Sequence, residues 1–236
     1  MMSDAASARE MNERFRNASA EDVIHWACQE FGAGLAIASS FSVEDVVLID
    51  LALRSSPTIG IFTLDTGRLP EETHAVLEEV RKKYRVPIVI YAPDAEKIQA
   101  LVREKGAYSF RESLENRREC CFVRKVEPLR RALAGKTAWM TGLRNGQAAT
   151  RHEVDRVAWD GLNGGLAKIN PLAGWTSEQI WEYTRTHGLP YNALYDKGYT
   201  SIGCAPCPRP IVAGEDERAG RWWWESPDKK ECGLHR

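Results

Sequence analysis

The sequence predicts an α/β protein: a doubly wound, mostly parallel sheet with an irregular C-terminal tail. Three observations predict it. Apolar runs of strand length alternate with segments of helical period, and each gap is long enough for a crossover rather than a hairpin. No internal repeat or low-complexity linker breaks that alternation. The chain has 236 residues, 43% of them hydrophobic, enough for one large domain with a sizeable core.

A first helix is expected over 19–32, where Ser19 and Asp22 carry a capping signal and Val23, Ala27 and Phe31 recur at helical spacing. A strand follows at Leu35–Ala38, then a helix over 43–54. Strand 58–64 precedes helix Glu71–Tyr84, and strand 87–91 precedes helix Ala95–Lys105. Cys120 and Cys121 open a helix-like run over 122–134, followed by strand 137–141 and a weaker strand over 166–170. A last helix over 176–187 places Ile180, Trp181 and Thr184 on one side. After Gly188, Pro190, Gly198, Gly203, Pro206, Pro208 and Pro210 leave little room for regular structure. Residues 1–213 are therefore read as one doubly wound domain. Residues 214–236, dense in charge around Trp222, Trp223 and Trp224, are read as a mobile tail able to close over a site. In a doubly wound sheet that site belongs at the carboxyl ends of the strands.

A net charge of -1 gives no basic stripe for nucleic acid and no attraction to an anionic membrane. Residues 1–16 lack the apolar stretch of a secretory signal, and no run approaches the roughly 18 apolar residues of a bilayer span. A cytoplasmic setting is expected, where thiols stay reduced, so the six cysteines read as ligands or catalysts before disulfides. Cys28 is the exception, a buried structural thiol among Val23, Ile24, Ala27 and Phe31.

Two strand ends are rich in ligand-binding chemistry. Ser39, Ser40 and Ser42 offer hydroxyls and free N–H groups at a strand-to-helix junction, which suits phosphate; an ordinary serine cap with Glu44 and Asp45 serving the helix dipole is the plain alternative. The turn Leu64-Asp65-Thr66-Gly67-Arg68 ends the next strand, with Gly67 permitting close backbone approach. No phosphate-loop or dinucleotide glycine motif is present. The cysteines say more. Adjacent Cys120 and Cys121 cannot comfortably chelate one tetrahedral zinc, whereas neighbouring thiolates can bind different irons of a cube. With Cys204 and Cys207 they suggest a 4Fe–4S cluster, against a zinc site, a redox Cys-x-x-Cys or unrelated buried thiols. Cys232 stands apart in Glu-Cys-Gly-Leu-His, near His235 and downstream of Arg218 and Arg221, cations that favour its thiolate. Lys125, Arg144 and Arg151 add cations near strand ends and cysteines, favouring an anionic substrate.

Taken in order, the serine junction, the Leu64–Arg68 turn, both cysteine pairs and the Glu231–His235 motif resemble the assimilatory adenylyl-sulfate and phosphoadenylyl-sulfate reductases over nearly the whole chain. The paired cysteines resemble the branch that carries a 4Fe–4S cluster and reduces adenosine 5′-phosphosulfate. The resemblance implies an adenine nucleotide α-hydrolase-like fold, with Ser39, Ser40 and Ser42 at the nucleotide phosphate. It implies Leu64, Thr66 and Gly142 beside the adenosine, and Lys125, Arg151, Arg218 and Arg221 clasping the phosphosulfate. Cys120, Cys121, Cys204 and Cys207 match the cluster ligands and Cys232 the nucleophile. Thioredoxin is the implied reductant and sulfite the product; no nucleic acid or membrane partner is expected, and a homo-oligomer is. One stretch departs from the pattern: where the family shows two arginines before Gln-Ser, this chain has Arg144-Asn145-Gly146-Gln147-Ala148. Reduction of the 3′-phosphorylated substrate, or of both, is the near alternative. A cluster-bearing tRNA sulfurtransferase is more distant, since it would need a Ser-Gly-Gly-x-Asp-Ser loop and a basic surface. A non-catalytic zinc module is the third reading.

Overall fold

The computed structural model describes residues 2–147, 153–212, 214–226 and 234. Within them the apolar runs form β1 (Leu35–Ala38), β2 (Gly60–Leu64), β3 (Val89–Tyr91), β4 (Ala138–Met140) and β6 (Leu166–Ile169), with an additional β5 (Val157–Asp160). The sheet order is β3-β2-β1-β4-β6-β5, parallel throughout except for the antiparallel β5–β6 pair. β2 and β3 begin two residues later than the apolar runs suggest, a normal scatter at strand ends.

Successive strand residues serve opposite faces. Ile37, Ile61, Met140 and Ile169 face a core shared with α2 (Ala20–Phe31), α3 (Val43–Ser55) and α8 (Ser177–Thr186). Ala36, Phe62, Trp139 and Leu166 face Leu129, Ala132 and Leu133 of α7 (Glu127–Leu133). Every residue of α3 from Val43 to Ala52 is buried, so that helix is held on all sides and its N-terminus is fixed against the strand ends. α4 (Glu71–Tyr84) and α5 (Ala95–Lys105) occupy their expected spans. No helix among the described residues is long and apolar enough to cross a membrane.

Two elements differ from expectation at the N-terminus and around the cysteines. Residues 1–16 show no apolar stretch, yet α1 (Ala5–Arg14) forms there with an Asp4–Ser7 capping box. Its Asn12 side chain accepts from the Arg156 and Val157 N–H groups at 2.8 and 3.3 Å and donates to Asp155 at 2.8 Å, so α1 secures β5. The cysteine pair does not open a helical run. It closes α6 (Leu114–Cys121), after which Phe122–Val126 forms a π turn before α7. The Glu127 N–H donates to the Phe122 carbonyl five residues back, and Pro128 has no N–H to continue an α ladder.

Asn12→Ala should therefore cost about 1–3 kcal/mol, since the part-buried amides of Arg156 and Val157, at the start of β5, lose their acceptor. Urea unfolding gives the magnitude, and faster exchange of the Arg156 and Val157 amides locates it; unchanged exchange there would refute the pinning role.

Candidate active site and four-cysteine cavity

From β1 the sheet grows one way to β2 and β3 and the other way to β4, so the strand order reverses between β1 and β4. Backbone groups at the carboxyl ends of these two strands are left without lateral neighbours, and ligands bind at such points. A cavity of about 220 Å³ opens there. Ser39, Ser40 and Ser42 line it from the end of β1, Leu64 and Thr66 from the end of β2, and Gly142 from the end of β4. Lys125 reaches it from the π turn, and Arg218 and Arg221 from the C-terminal segment. Nine of the substrate residues expected from sequence thus share one cavity; Arg151 lies outside the described residues, as do Thr150, Cys232 and His235. Leu234 is described: it lines the cavity and packs against the core layer containing Phe62 and Trp139.

The serine junction is held under backbone strain. Phe41, buried between two of the serines, has φ 57°, a left-handed conformation costly for a bulky side chain. Its N–H donates to Ser39 Oγ at 3.1 Å. Ser40 donates its N–H and hydroxyl to Asp45 Oδ2 at 2.6 and 2.8 Å, and Ser42 Oγ caps α3 by accepting from the Asp45 N–H at 3.3 Å. The capping role is therefore real, while the hydroxyl protons of Ser39 and Ser42 are still able to donate. Asp45 Oδ1 accepts from the Gly142 N–H at 3.2 Å. A Cβ on Gly142 would sit 2.5 Å from Asp45 Oδ1, which is why β4 can end against α3 only with glycine there. Burial pushes the Asp45 carboxyl up to about 6, with Ser40 and Gly142 opposing and the neighbouring Glu44 reinforcing.

Arg144 does not act as a free cation. It is buried, its Nε donates to Glu44 at 3.0 Å and its Nη2 to both oxygens of Glu217 at 3.1 and 3.0 Å. It joins the serine junction to the C-terminal segment. That segment, expected to begin a mobile tail at 214, is docked over 214–226. An isolated bridge pairs Pro208 with Arg221, and Trp222 is fully buried with φ 40°. Of the other tryptophans, Trp223 is half exposed and Trp224 rests 6.0 Å from Phe110.

Behind Lys125 lies a second, small cavity, lined by Cys120, Cys121, Cys204 and Cys207 together. The Cys-x-x-Cys turn is closed by a 2.9 Å bond from the Cys207 N–H to the Cys204 carbonyl and tied to the Leu64–Arg68 turn by Ala205 N–H to Arg68 carbonyl, 2.7 Å. Arg68, Arg117, Arg124 and Lys125 line the same cavity. Arg117 and Arg124 stand four residues before Cys121 and four after Cys120, a helical spacing legible in the sequence but not recognised there. Arg124 donates to the Thr66 carbonyl at 2.6 Å, and Arg117 donates to Glu225 at 2.6 Å with its guanidinium 4.3 Å from the Trp222 ring centre. The Cys207 thiol, donating to Cys204, holds that sulfur well below the usual thiol range, with Lys125 and Thr66 helping. The same contact and burial push Cys207 up, and burial raises Cys120 against Arg124 and Arg68. Cys28 sits apart, packed against the larger core.

The four thiols are a donor set that an iron–sulfur cluster could use. Among the described residues no three His, Cys, Asp or Glu side chains converge closely enough for one metal ion. Four thiols around a cavity walled by cations match a polyanionic iron–sulfur cube, whose sulfurs accept hydrogen bonds. Three buried donors stand without partners among the described residues: Arg124 Nε, Arg221 Nε and Trp222 Nε1.

The strand order and the position of the cavity are those of an adenine nucleotide α-hydrolase-like fold. The model of the phosphoadenosine phosphosulfate reductase domain matches residues 34–210, and the chain belongs to that family. It is 50% identical over 221 residues to an adenosine 5′-phosphosulfate reductase of Allochromatium vinosum, covering 94% of this chain and 86% of the relative. Another protein of that name, from Pseudomonas aeruginosa, is 45% identical over 222 residues, covering 92% and 82%. A phosphoadenylyl-sulfate reductase of Candida auris, solved as a phosphate complex, superposes with a TM-score of 0.75 at 25% identity, covering 89% of this chain and 99% of that one.

The raised Asp45 carboxyl has a pH signature. Stability linked to its protonated form is fully present below its ordinary value of 3.8 and is lost as pH rises through about 6. Asp45→Asn removes that dependence. The stability difference, wild type minus variant, should therefore fall across this window in denaturant unfolding at a series of pH values; a flat or rising difference would contradict the assignment.

Proposed function

We propose that this chain reduces adenosine 5′-phosphosulfate to sulfite and AMP with thioredoxin as reductant, through an S-sulfonate on Cys232, in sulfate assimilation. The observation that carries the reading is the shared Lys125: one ammonium lines both the nucleotide cavity and the four-cysteine cavity. The names borne by relatives up to 50% identical support the substrate.

The serine junction and the Leu64–Thr66 turn would bind the nucleotide, with Gly142 giving it room. Lys125, Arg218 and Arg221, joined by Arg151, would neutralise the phosphosulfate and stabilise the leaving phosphate. Leu234, two residues from Cys232 in sequence, lines the cavity, which supports the assignment of Cys232 as the nucleophile. Its thiolate attacks the sulfuryl sulfur, the sulfur–oxygen bond to AMP breaks, and AMP departs with the bonding pair. A thioredoxin thiolate then attacks the Cys232 sulfur and expels sulfite, and its second thiol resolves the mixed disulfide, so two thiols supply the two electrons. Cys120, Cys121, Cys204 and Cys207 would hold a 4Fe–4S cluster. When bound, that group adds a fixed electrostatic field beside the sulfate site. The cytosol, with its reduced thiols, is the setting this chemistry needs.

Cys232→Ser should abolish sulfite formation while leaving the brown colour and nucleotide binding intact, whereas Cys121→Ser or Cys204→Ser should bleach the protein. Turnover of both nucleotides with thioredoxin, alongside iron and sulfide analysis after anaerobic purification, is the decisive assay. Exclusive use of the 3′-phosphorylated nucleotide would overturn the substrate, and a colourless zinc protein would overturn the cluster.

A further inference from the structure

Arg144 and its two glutamates do more than join distant segments. Glu44, Asp45 and Glu217 all line the nucleotide cavity, whereas Arg144 does not. The guanidinium lies behind its partners: 7% of the Arg144 side chain is exposed, against 37% for Glu217. Among the described residues, three carboxylates therefore share the wall with Lys125, Arg218 and Arg221, and a fourth cation is withdrawn from it. Asn145 brings no charge in its place, and its side chain accepts from the Val154 N–H at 2.6 Å.

Glu217 is fixed where it stands. Arg144 Nη2 holds both of its carboxylate oxygens, at 3.1 and 3.0 Å. The Glu217 carbonyl accepts from the Thr200 hydroxyl, and the next N–H, that of Arg218, donates to Asp216 at 2.8 Å. The ion pair is not neutral as a group. Arg144 is shared with Glu44, so two carboxylates answer one guanidinium and a negative charge is left on the cavity wall.

Positive charge gathers elsewhere. Lys125 and Arg221 both act on the thiols of Cys204 and Cys207, on the side of the four-cysteine cavity, while the carboxylates gather around the start of α3. The cavity is therefore graded in charge rather than uniformly basic. A phosphosulfate group carries about two negative charges, and a phosphate on the ribose adds about 1.5 to 2 more at neutral pH. Taken as a sphere, a cavity of about 220 Å³ is no wider than the screening distance, about 8 Å at physiological salt. Wherever the extra phosphate lies inside it, the charge of Glu217 is felt.

We propose that Glu217 is a specificity-determining residue: its carboxylate, held on the cavity wall by Arg144, rejects a nucleotide that carries a 3′-phosphate. The inference deepens the reading above and rests on its choice of substrate. Attraction and repulsion then sit side by side in one segment. Arg218 draws the phosphosulfate in, and the residue before it turns a second phosphate away.

Equilibrium binding of AMP and of adenosine 3′,5′-bisphosphate to the full-length, anaerobically purified protein tests this without requiring turnover. The wild type should prefer AMP. Glu217→Gln keeps the size of the side chain and an oxygen for Arg144 while removing the charge. It should lower the preference for AMP at least about tenfold, by tightening bisphosphate binding. Glu217→Asp, which keeps the charge, should keep the preference even where both affinities fall. Raising salt from about 0.1 to 1 M cuts the screening distance from about 10 to 3 Å, so it should narrow the gap between wild type and Glu217→Gln. Glu217→Ala removes the same charge and decides the matter should the glutamine variant misfold. An unchanged preference in the uncharged variants, or affinities for both ligands that fall in step, would overturn the specificity role and leave the proposed reaction standing. A wild type that prefers the bisphosphate, or binds neither ligand, would overturn both.

Discussion

Buried positive charge is the constraint around which this molecule is arranged. Arg117, Arg124, Lys125, Arg144 and Arg221 are all at most 9% exposed. Cations taken out of water need anionic partners, or the fold loses several kcal/mol for each. The protein's own carboxylates answer part of this: Glu44 and Glu217 hold Arg144, and Glu225 holds Arg117. Arg124 instead reaches a neutral carbonyl, and the side chains of Lys125 and Arg221 border a cavity. Cations therefore wall both cavities.

Much of the frame was legible because it rests on local rules. Parallel strands read as continuous apolar runs, and five of them were read directly. β5 escaped because four residues bearing Trp159 and Asp160 carry no clear period, and its stability comes from Asn12, over a hundred residues away in sequence. α1 escaped for a related reason: it is polar, and its worth lies in a contact the sequence cannot reveal. The serine junction was recognised by composition, but the left-handed Phe41 that shapes it has no signature in sequence. Arg144 read as one of several cations near the strand ends, with no assigned role, and only the fold shows its charge engaged by two glutamates. The tail illustrates the opposite limit. Its tryptophans gave no direction, and Trp222 is buried against the guanidinium of Arg117, far away in sequence, and that of its neighbour Arg221, 4.3 and 4.7 Å from its ring centre.

The two cavities share walls rather than merely lying near each other. Thr66 gives its carbonyl to Arg124 and its hydroxyl lies 3.2 Å from Cys204 Sγ, while also lining the nucleotide cavity. Arg221 covers Gly203 so closely that a Cβ there would fall 2.1 Å from its guanidinium. Thr66 and Arg221 thus put the two sites in direct contact, with no long pathway between them.

The π turn at Phe122–Val126 sets the angular phase between the cysteine pair and everything downstream of it. Each residue of an α-helix advances the face by about 100°. Shortening this turn by one residue would restore a regular helix and rotate Cys120 and Cys121 out of alignment with Lys125 and α7. Length variation in this segment should therefore be tolerated far less than side-chain variation. The widened turn works as a fixed gear between the thiols and the ammonium, and its one extra residue is part of the site even though its own side chain need touch neither ligand.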